Sequence, residues 1–183
     1  DIVSALEELA AGGHPRRFGD ISRTDEDGER LVTTPSYTAF LKIAEGCDNR
    51  CAFCIIPYLR GRYRSRTMEA LLEEAKALAD RGVKELIVIA QDITRYGIDL
   101  YHKQMLGELL NELCKLPFHW IRLHYLYPDI LGDDLIEVIA RQPKIVKYID
   151  IPLQHSNDRI LKAMNRHTTN AQIRALLGKL RER

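Results

Sequence analysis

From Tyr37 onward the chain repeats one unit, a short apolar strand, a loop and an amphipathic helix, and this repeat restricts the fold more than any other feature. Residues 37–45 read as a first strand and Glu85-Leu86-Ile87-Val88-Ile89-Ala90 as a buried second one. Residues 119–125 and 145–151 supply a third and a fourth. Between the first two, Thr67 can cap a helix whose Met68, Leu71, Leu72, Ala75, Leu78 and Ala79 share a face, and Gly82 can end it. Further helices are predicted over 104–116, 133–141, 158–165 and 170–183. Strands alternating with helices at this spacing imply right-handed crossovers and a parallel sheet. The expected fold is α/β, built of repeated βα units with parallel strands, either half of an eight-fold barrel or a small doubly wound sheet. Both place ligands at the C-terminal ends of the strands, here residues 45–54, 91–96, 124–128 and 152–157.

The first of those loops concentrates the chemistry. Cys47, Cys51 and Cys54 fall within eight residues, in a Cys-x3-Cys-x2-Cys spacing. Disulfides among them would strand one thiol and strain short loops, so an inorganic centre is the better reading. Three thiolates supply three corners of a site and leave the fourth open or filled from elsewhere. Iron–sulfur cubes are normally held by four thiolates and structural zinc by two separated pairs, and this loop offers neither full set. A structural zinc on three cysteines and a distant histidine, in a binding module without redox chemistry, is the alternative of another class. Simple burial of the thiols is the third reading.

The chain outside the repeat differs in character. Residues 1–11 carry Ile2, Val3, Ala5, Leu6, Leu9 and Ala10 at helical spacing, stopped by Gly12-Gly13, and residues 14–35 are rich in charge, Gly and Pro. The run 23–30 lacks an apolar stripe, its acidic residues being a solvated surface, and residues 14–35 read as a linker or exposed hairpin. Residues 1–36 are therefore expected to be the end of a preceding domain plus a linker. Residues 37–183 form an incomplete domain of about four βα units, and the whole reads as a piece of a longer protein. With 27 basic and 26 acidic residues the net charge is +1, which announces no nucleic acid, membrane or acidic partner. Four cysteines, no signal-peptide pattern and no long apolar run point to the cytoplasm.

Outward from the cysteines the sequence resembles the radical S-adenosylmethionine (SAM) enzymes, and among them the methylthiotransferase branch. The resemblance is carried by residues 37–47, Cys54-Ile55-Ile56-Pro57, Arg60-Gly61, Ser65-Arg66, Ala90-Gln91-Asp92-Ile93-Thr94-Arg95-Tyr96-Gly97, Arg122-Leu123-His124-Tyr125-Leu126-Tyr127-Pro128 and Ile151-Pro152-Leu153-Gln154-His155. It implies an open partial TIM-like barrel and a [4Fe-4S] cluster on Cys47, Cys51 and Cys54. The free iron of that cluster is chelated by the amino and carboxylate groups of SAM. It implies a second [4Fe-4S] cluster in a preceding domain, and a following β domain that recognises substrate. The implied reaction uses SAM twice, as methyl donor and as source of a 5'-deoxyadenosyl radical. The product is a methylthio group on the β-carbon of an aspartate in a small-subunit ribosomal protein; the sister enzymes modify an adenosine of tRNA. A low-potential electron donor of flavodoxin or ferredoxin type is the further implied partner, with no membrane. Phe53, Ile55 and Ile56 are expected to shield the cluster from water and oxygen.

Gln91 and Asp92 lie where many such enzymes contact SAM, and the same polar residues at a strand end can serve as a cap or loop hydrogen bond. Gln154, His155 and Ser156 after the fourth strand are candidates for the ribose or carboxylate of SAM, or for satisfying backbone at the rim. His124 is a hydrogen-bonding residue or a proton carrier. Arg122 points toward a ligand carboxylate or forms a structural ion pair. Arg60, Arg62, Arg64 and Arg66 alternate, so an extended segment would present them on one side to phosphate or to an acidic surface. Cys114, beside Leu109, Leu110 and Leu113, reads as core. An isolated piece with an open half-barrel is expected to associate, to be partly disordered or to lack its cluster.

Overall fold

A computed structural model describes residues 2–17, 19–21 and 33–183. The chain opens with helix α1 (Ile2–Ala10), none of whose side chains is buried. Of residues 14–35, expected as a linker or exposed hairpin, the run 23–30 lies outside the described residues. Strand β1 (Thr38–Lys42) is followed after Ile43 by β2 (Ala44–Glu45), helix α2 (Ile56–Arg60), β3 (Arg64–Ser65), α3 (Met68–Asp80) and β4 (Glu85–Ile89). A 3-10 turn (Ile93–Arg95), α4 (Ile98–Tyr101), α5 (Leu106–Leu113), β5 (Trp120–Leu123), α6 (Asp133–Arg141), β6 (Ile145–Ile149), α7 (Asp158–Ala163) and α8 (Asn170–Glu182) complete it.

The four predicted strands form one parallel sheet in the order β1-β4-β5-β6. Ala39, Leu41, Leu86, Val88, Ile121 and Leu123 are buried in the core shared with α3, α5 and α6, and α8 joins it through Leu176 and Leu180. The opposite sheet face carries Phe40, Ile87 and Arg122 in one register row. There Arg122 Nε and Nη2 donate to Glu85 Oε1 at 2.8 and 2.7 Å, and the guanidinium lies 5.9 Å from the Tyr148 ring. Arg122 is thus a structural ion pair. Trp120 and Tyr148 remain half exposed. A doubly wound sheet needs helices on both faces, whereas this sheet is open and packs its helices against one, as a partial barrel does.

Local chemistry accounts for the helix bounds. Thr67 Oγ1 accepts from the Ala70 amide at 3.3 Å to start α3, whose Leu71, Ala75 and Leu78 are buried at i, i+4 and i+7. Asp133 and Asp134 in the first turn of α6 and Arg141 in its last complement the helix dipole. Thr169 and Gln172 form a capping box at the start of α8. Cys114 ends α5 and packs against the core. Among the described residues no helix is long and apolar enough to cross a membrane.

The expected single strand over 37–45 is broken at Ile43. Its amide donates to Ile89 O at 3.0 Å, the last residue of β4, and its carbonyl accepts from the Arg66 amide at 3.0 Å. Beyond Ile89 the neighbour has ended, so the backbone of Ala44 and Glu45 finds its partners in Ser65 and Arg64 instead. That switch closes residues 46–63 into a loop at the C-terminal edge of the sheet, with all three clustered cysteines inside it.

Candidate metal centre

The neck of the cysteine loop depends on one glycine. Gly46 has φ +79°, and the Cys47 amide donates to Gly61 O at 3.2 Å. A Cβ at position 46 would lie 2.1 Å from Arg62 O and 2.7 Å from Gly61 O, both rigid backbone. Gly46→Ala is therefore expected to combine left-handed strain with overpacking, at least about 2 kcal/mol together. Thermal unfolding and iron content measure it, and the two should fall together because the same clash displaces Cys47.

The three thiols are free, Cys47 buried and Cys51 and Cys54 partly so. Among the described residues no three His, Cys, Asp or Glu side chains converge as a site for a single metal ion. Instead the same three cysteines line two cavities. One, of about 430 Å³, faces the sheet and is walled also by Phe53, Ala90, Gln91, Tyr125, Gln154 and Arg166. The other, of about 380 Å³, lies within the loop beside Asp48, Arg50, Tyr58 and Arg62. Soft thiolates set around a volume suit a polynuclear iron–sulfur centre better than one zinc ion. Burial raises the Cys47 and Cys51 thiols above their usual range, with the Arg166 guanidinium pulling Cys51 back down. Metal-free, they stay protonated at neutral pH, so loading a cluster must displace protons.

Two buried polar atoms on the sheet-side wall, Gln91 Oε1 and Arg166 Nε, have no partner among the described residues. A wall that brings an amide and a guanidinium, each with an unpartnered buried atom, next to three thiols has the donors and acceptors a zwitterionic ligand needs. Gln154 shares the wall and holds φ +67°. Asp92 is fully buried and does not line either cavity. Its Oδ1 accepts from the Thr94 amide at 3.0 Å and from the Thr94 hydroxyl, capping the 3-10 turn. Its Oδ2 accepts from Asn49 Nδ2 at 3.0 Å and lies 3.2 Å from Arg95 Nε. Burial raises its carboxyl above the usual range against the pull of those partners. His155 is exposed, its Nδ1 accepting from the Asn157 amide at 2.9 Å, and the Ser156 carbonyl accepts from Asn170 Nδ2 at 2.7 Å. Neither lines the cavities. His124 follows β5, its amide donating to Val88 O at 3.2 Å. Phe53 and Ile56 reach the sheet-side cavity, while Ile55 does not and is 58% exposed.

Of the residues that brace the loop, the sequence pointed to Asp92 alone, as a cap or loop hydrogen bond, and not to its partners Asn49, Arg95 and Asp129. Arg95 Nε donates to Asn49 Oδ1 at 3.1 Å and its Nη2 to Asp129 Oδ2 at 3.1 Å, so Asn49, Asp92, Arg95 and Asp129 tie the cysteine loop to the ends of β4 and β5. From the other side, Met164 O accepts from the Ala52 amide at 3.0 Å and Asn165 Nδ2 donates to Arg50 O at 2.8 Å. Arg166, also missed, sits nearly buried with Nη2 donating to Pro152 O at 2.7 Å. The signal was weak: Asn165-Arg166 is a polar pair after a short helix, and nothing local tells that it folds back over a loop more than a hundred residues away. The four alternating arginines form no common face. Arg60 and Arg62 lie 3.9 and 3.6 Å from Glu45 and Asp48, Arg64 donates to the Arg62 and Arg60 carbonyls, and Arg66 pairs with Glu74 at 2.6 Å. Only residues 64–65 of that segment are strand, which removes the alternation the common face required.

The sequence profile of the Radical SAM superfamily matches residues 41–183. Curated relatives include the ribosomal protein uS12 methylthiotransferase RimO of Caldanaerobacter subterraneus subsp. tengcongensis, 56% identical over 182 residues, which are 98% of this chain and 42% of the relative. RimO of Symbiobacterium thermophilum is 54% identical over 184 residues, 100% of this chain and 38% of the relative. The chain spans about two fifths of the length of these relatives. Among solved structures, the radical SAM methyltransferase TsrM of Kitasatospora setae superposes with a TM-score of 0.65 at 17% identity, covering 85% of this chain and 32% of that one. The cobalamin-dependent SAM radical enzyme OxsB gives 0.58 at 15% identity, over 77% and 22%. Three cysteines in a loop closed at the C-terminal edge of a parallel half-barrel, and a profile match that runs from within β1 to residue 183, agree: the chain belongs to the radical SAM superfamily.

Proposed function

We propose that this chain is the cluster-bearing and SAM-binding part of a methylthiotransferase that modifies an aspartate of ribosomal protein uS12. The observation that carries the cofactor reading is the shared wall: Cys47, Cys51 and Cys54 line one cavity together with Gln91 and Arg166. The substrate reading is supported by relatives of that name at 54–56% identity. When bound, a [4Fe-4S] cluster and SAM supply reductive cleavage to the 5'-deoxyadenosyl radical. The chain's own residues then have separable tasks. Cys47, Cys51 and Cys54 ligate; Gln91 Oε1 accepts from the amino group of SAM and Arg166 Nε donates to its carboxylate. Gln154 completes that wall, and Asp92 orders the loop through Asn49. His155 and Ser156 lie farther out, at a position to meet the ribose only if the rim closes inward.

Helix α1 fits the end of a separate preceding unit, since none of its side chains is buried and Ile2, Val3, Leu6 and Leu9 are exposed. That unit would carry the second cluster. A flavodoxin- or ferredoxin-type donor in the cytoplasm would supply the electron. The test is mass spectrometry of uS12 and of tRNA from cells lacking the protein. The expected result is an aspartate of uS12 lighter by one methylthio group, with tRNA unchanged. Loss confined to a tRNA adenosine would overturn the substrate and keep the enzyme class.

A further inference from the structure

We infer that Tyr127 donates a hydrogen bond to the sulfur of Cys51 and thereby sets the reduction potential of the cluster, with Arg166 as the positioning residue that fixes the phenol. The inference rests on the cluster reading above and goes beyond it by giving two side chains a role other than holding SAM.

The geometry is specific. The Tyr127 hydroxyl lies 2.7 Å from Cys51 Sγ, and Arg166 Nη1 lies 3.6 Å from the same sulfur. Arg166 Nη1 also donates to the Tyr127 oxygen, and the guanidinium stacks 3.9 Å from the centre of the Tyr127 ring. Neither side chain is free to turn away. Tyr127 is 8% and Arg166 7% exposed, the Tyr127 amide donates to Thr94 Oγ1 at 3.3 Å, and Arg166 Nη2 is held on Pro152 O.

The direction of the bond follows from donor counting. An arginine only donates, so the Tyr127 oxygen accepts from Arg166 and its own proton must go elsewhere. A ligating thiolate carries no proton and only accepts. The phenol proton therefore points at Cys51 Sγ, and the donation from Arg166 polarises the phenol into a stronger donor. Among the described residues, Cys51 is the clustered cysteine with side-chain hydrogen bonds to its sulfur.

Reducing the cluster by one electron adds one negative charge to it and its thiolates. A hydrogen bond and a buried cation at one sulfur stabilise that charge, so the pair raises the potential. The strongly reducing range that SAM cleavage demands is then bounded from one corner of the site. The same two residues brace the loop, which distinguishes two roles: a brace changes stability, whereas a donor changes potential.

The experiment is an EPR-monitored redox titration of the anaerobically reconstituted protein, without SAM, using dithionite and viologen mediators. Tyr127→Phe removes the hydroxyl and keeps the ring under the guanidinium; its midpoint is expected to move to a more negative potential at unchanged iron content. Placing 3-fluorotyrosine at 127, titrated at a pH where its phenol stays protonated, makes a stronger donor of nearly the same shape, and its midpoint is expected to move the opposite way. If the Phe variant loses iron, the fluorinated phenol decides alone. Midpoints unmoved in the variants that load iron would overturn the inference and leave the cluster reading standing. Absence of any iron–sulfur signal in the unsubstituted protein would overturn the cluster reading itself, and this inference with it.

Discussion

Cys54→Ala is expected to abolish cluster loading and SAM cleavage while leaving the fold in place. Cys54 lines both cavities. Its backbone amide, which donates to Cys51 O at 3.0 Å, is kept in the variant. The loop is closed independently, by the β2–β3 pairing at its neck and by Met164 and Asn165 on its far side. Iron and sulfide analysis with visible absorption reads the cluster, release of 5'-deoxyadenosine reads SAM cleavage, and a thermal melt reads the fold. Loss of iron, sulfide and charge-transfer absorption with a melting temperature close to the parent's is the expected pattern. The opposite pattern, stoichiometric zinc in the parent and collapse of the fold in the variant, would restore the structural-zinc reading.

Asp92→Ala is expected to give the largest loss of stability among single polar substitutions at the site. The carboxylate is fully buried and serves Thr94, Asn49 and Arg95 at once. Deleting it strands the Asn49 amide and takes one of the two carboxylates from Arg95, Asp129 remaining. Breaking a buried pair costs about 3 kcal/mol at the lower end of the usual range. In a chain of this length that lowers the melting temperature by roughly 6–12 °C. Asp92→Asn, which retains the shape and one acceptor oxygen, is expected to lose less. Iron content should fall in the Ala variant as well, because Asn49 lies between Cys47 and Cys51. An Ala variant that melts like the parent would show that Asp92 does not brace the loop.

Much of the architecture was legible because it depends on short-range patterns. The run Glu85 to Ile89 is apolar on both sides and so reads as a buried strand, and Thr67 and Asp133 mark helix starts by side-chain chemistry that acts within one turn. The break at Ile43 was not legible. Whether the backbone of Ala44 pairs with one neighbour or another depends on where β4 ends, which is a property of a segment forty residues on. The same holds for the short helix α2 and for the arginines after it, whose alternation in sequence promised a face that the local fold does not make.

The sequence by itself determined the parallel βα repeat and the loop that carries three thiols, since hydrophobic periodicity and ligand spacing are written along the chain. Helices packed on one sheet face alone decided for a half-barrel over a doubly wound sheet. Only the tertiary structure decided what surrounds those thiols. Gln91 and Gln154 line the cavity while Asp92 turns away to hold Asn49. Tyr127 and Arg166, from two other loops, arrive at Cys51. The reason is physical: a ligand set can be local in sequence, but the polar groups that satisfy a buried sulfur must come from whichever segments the packing brings within about 3–4 Å of it.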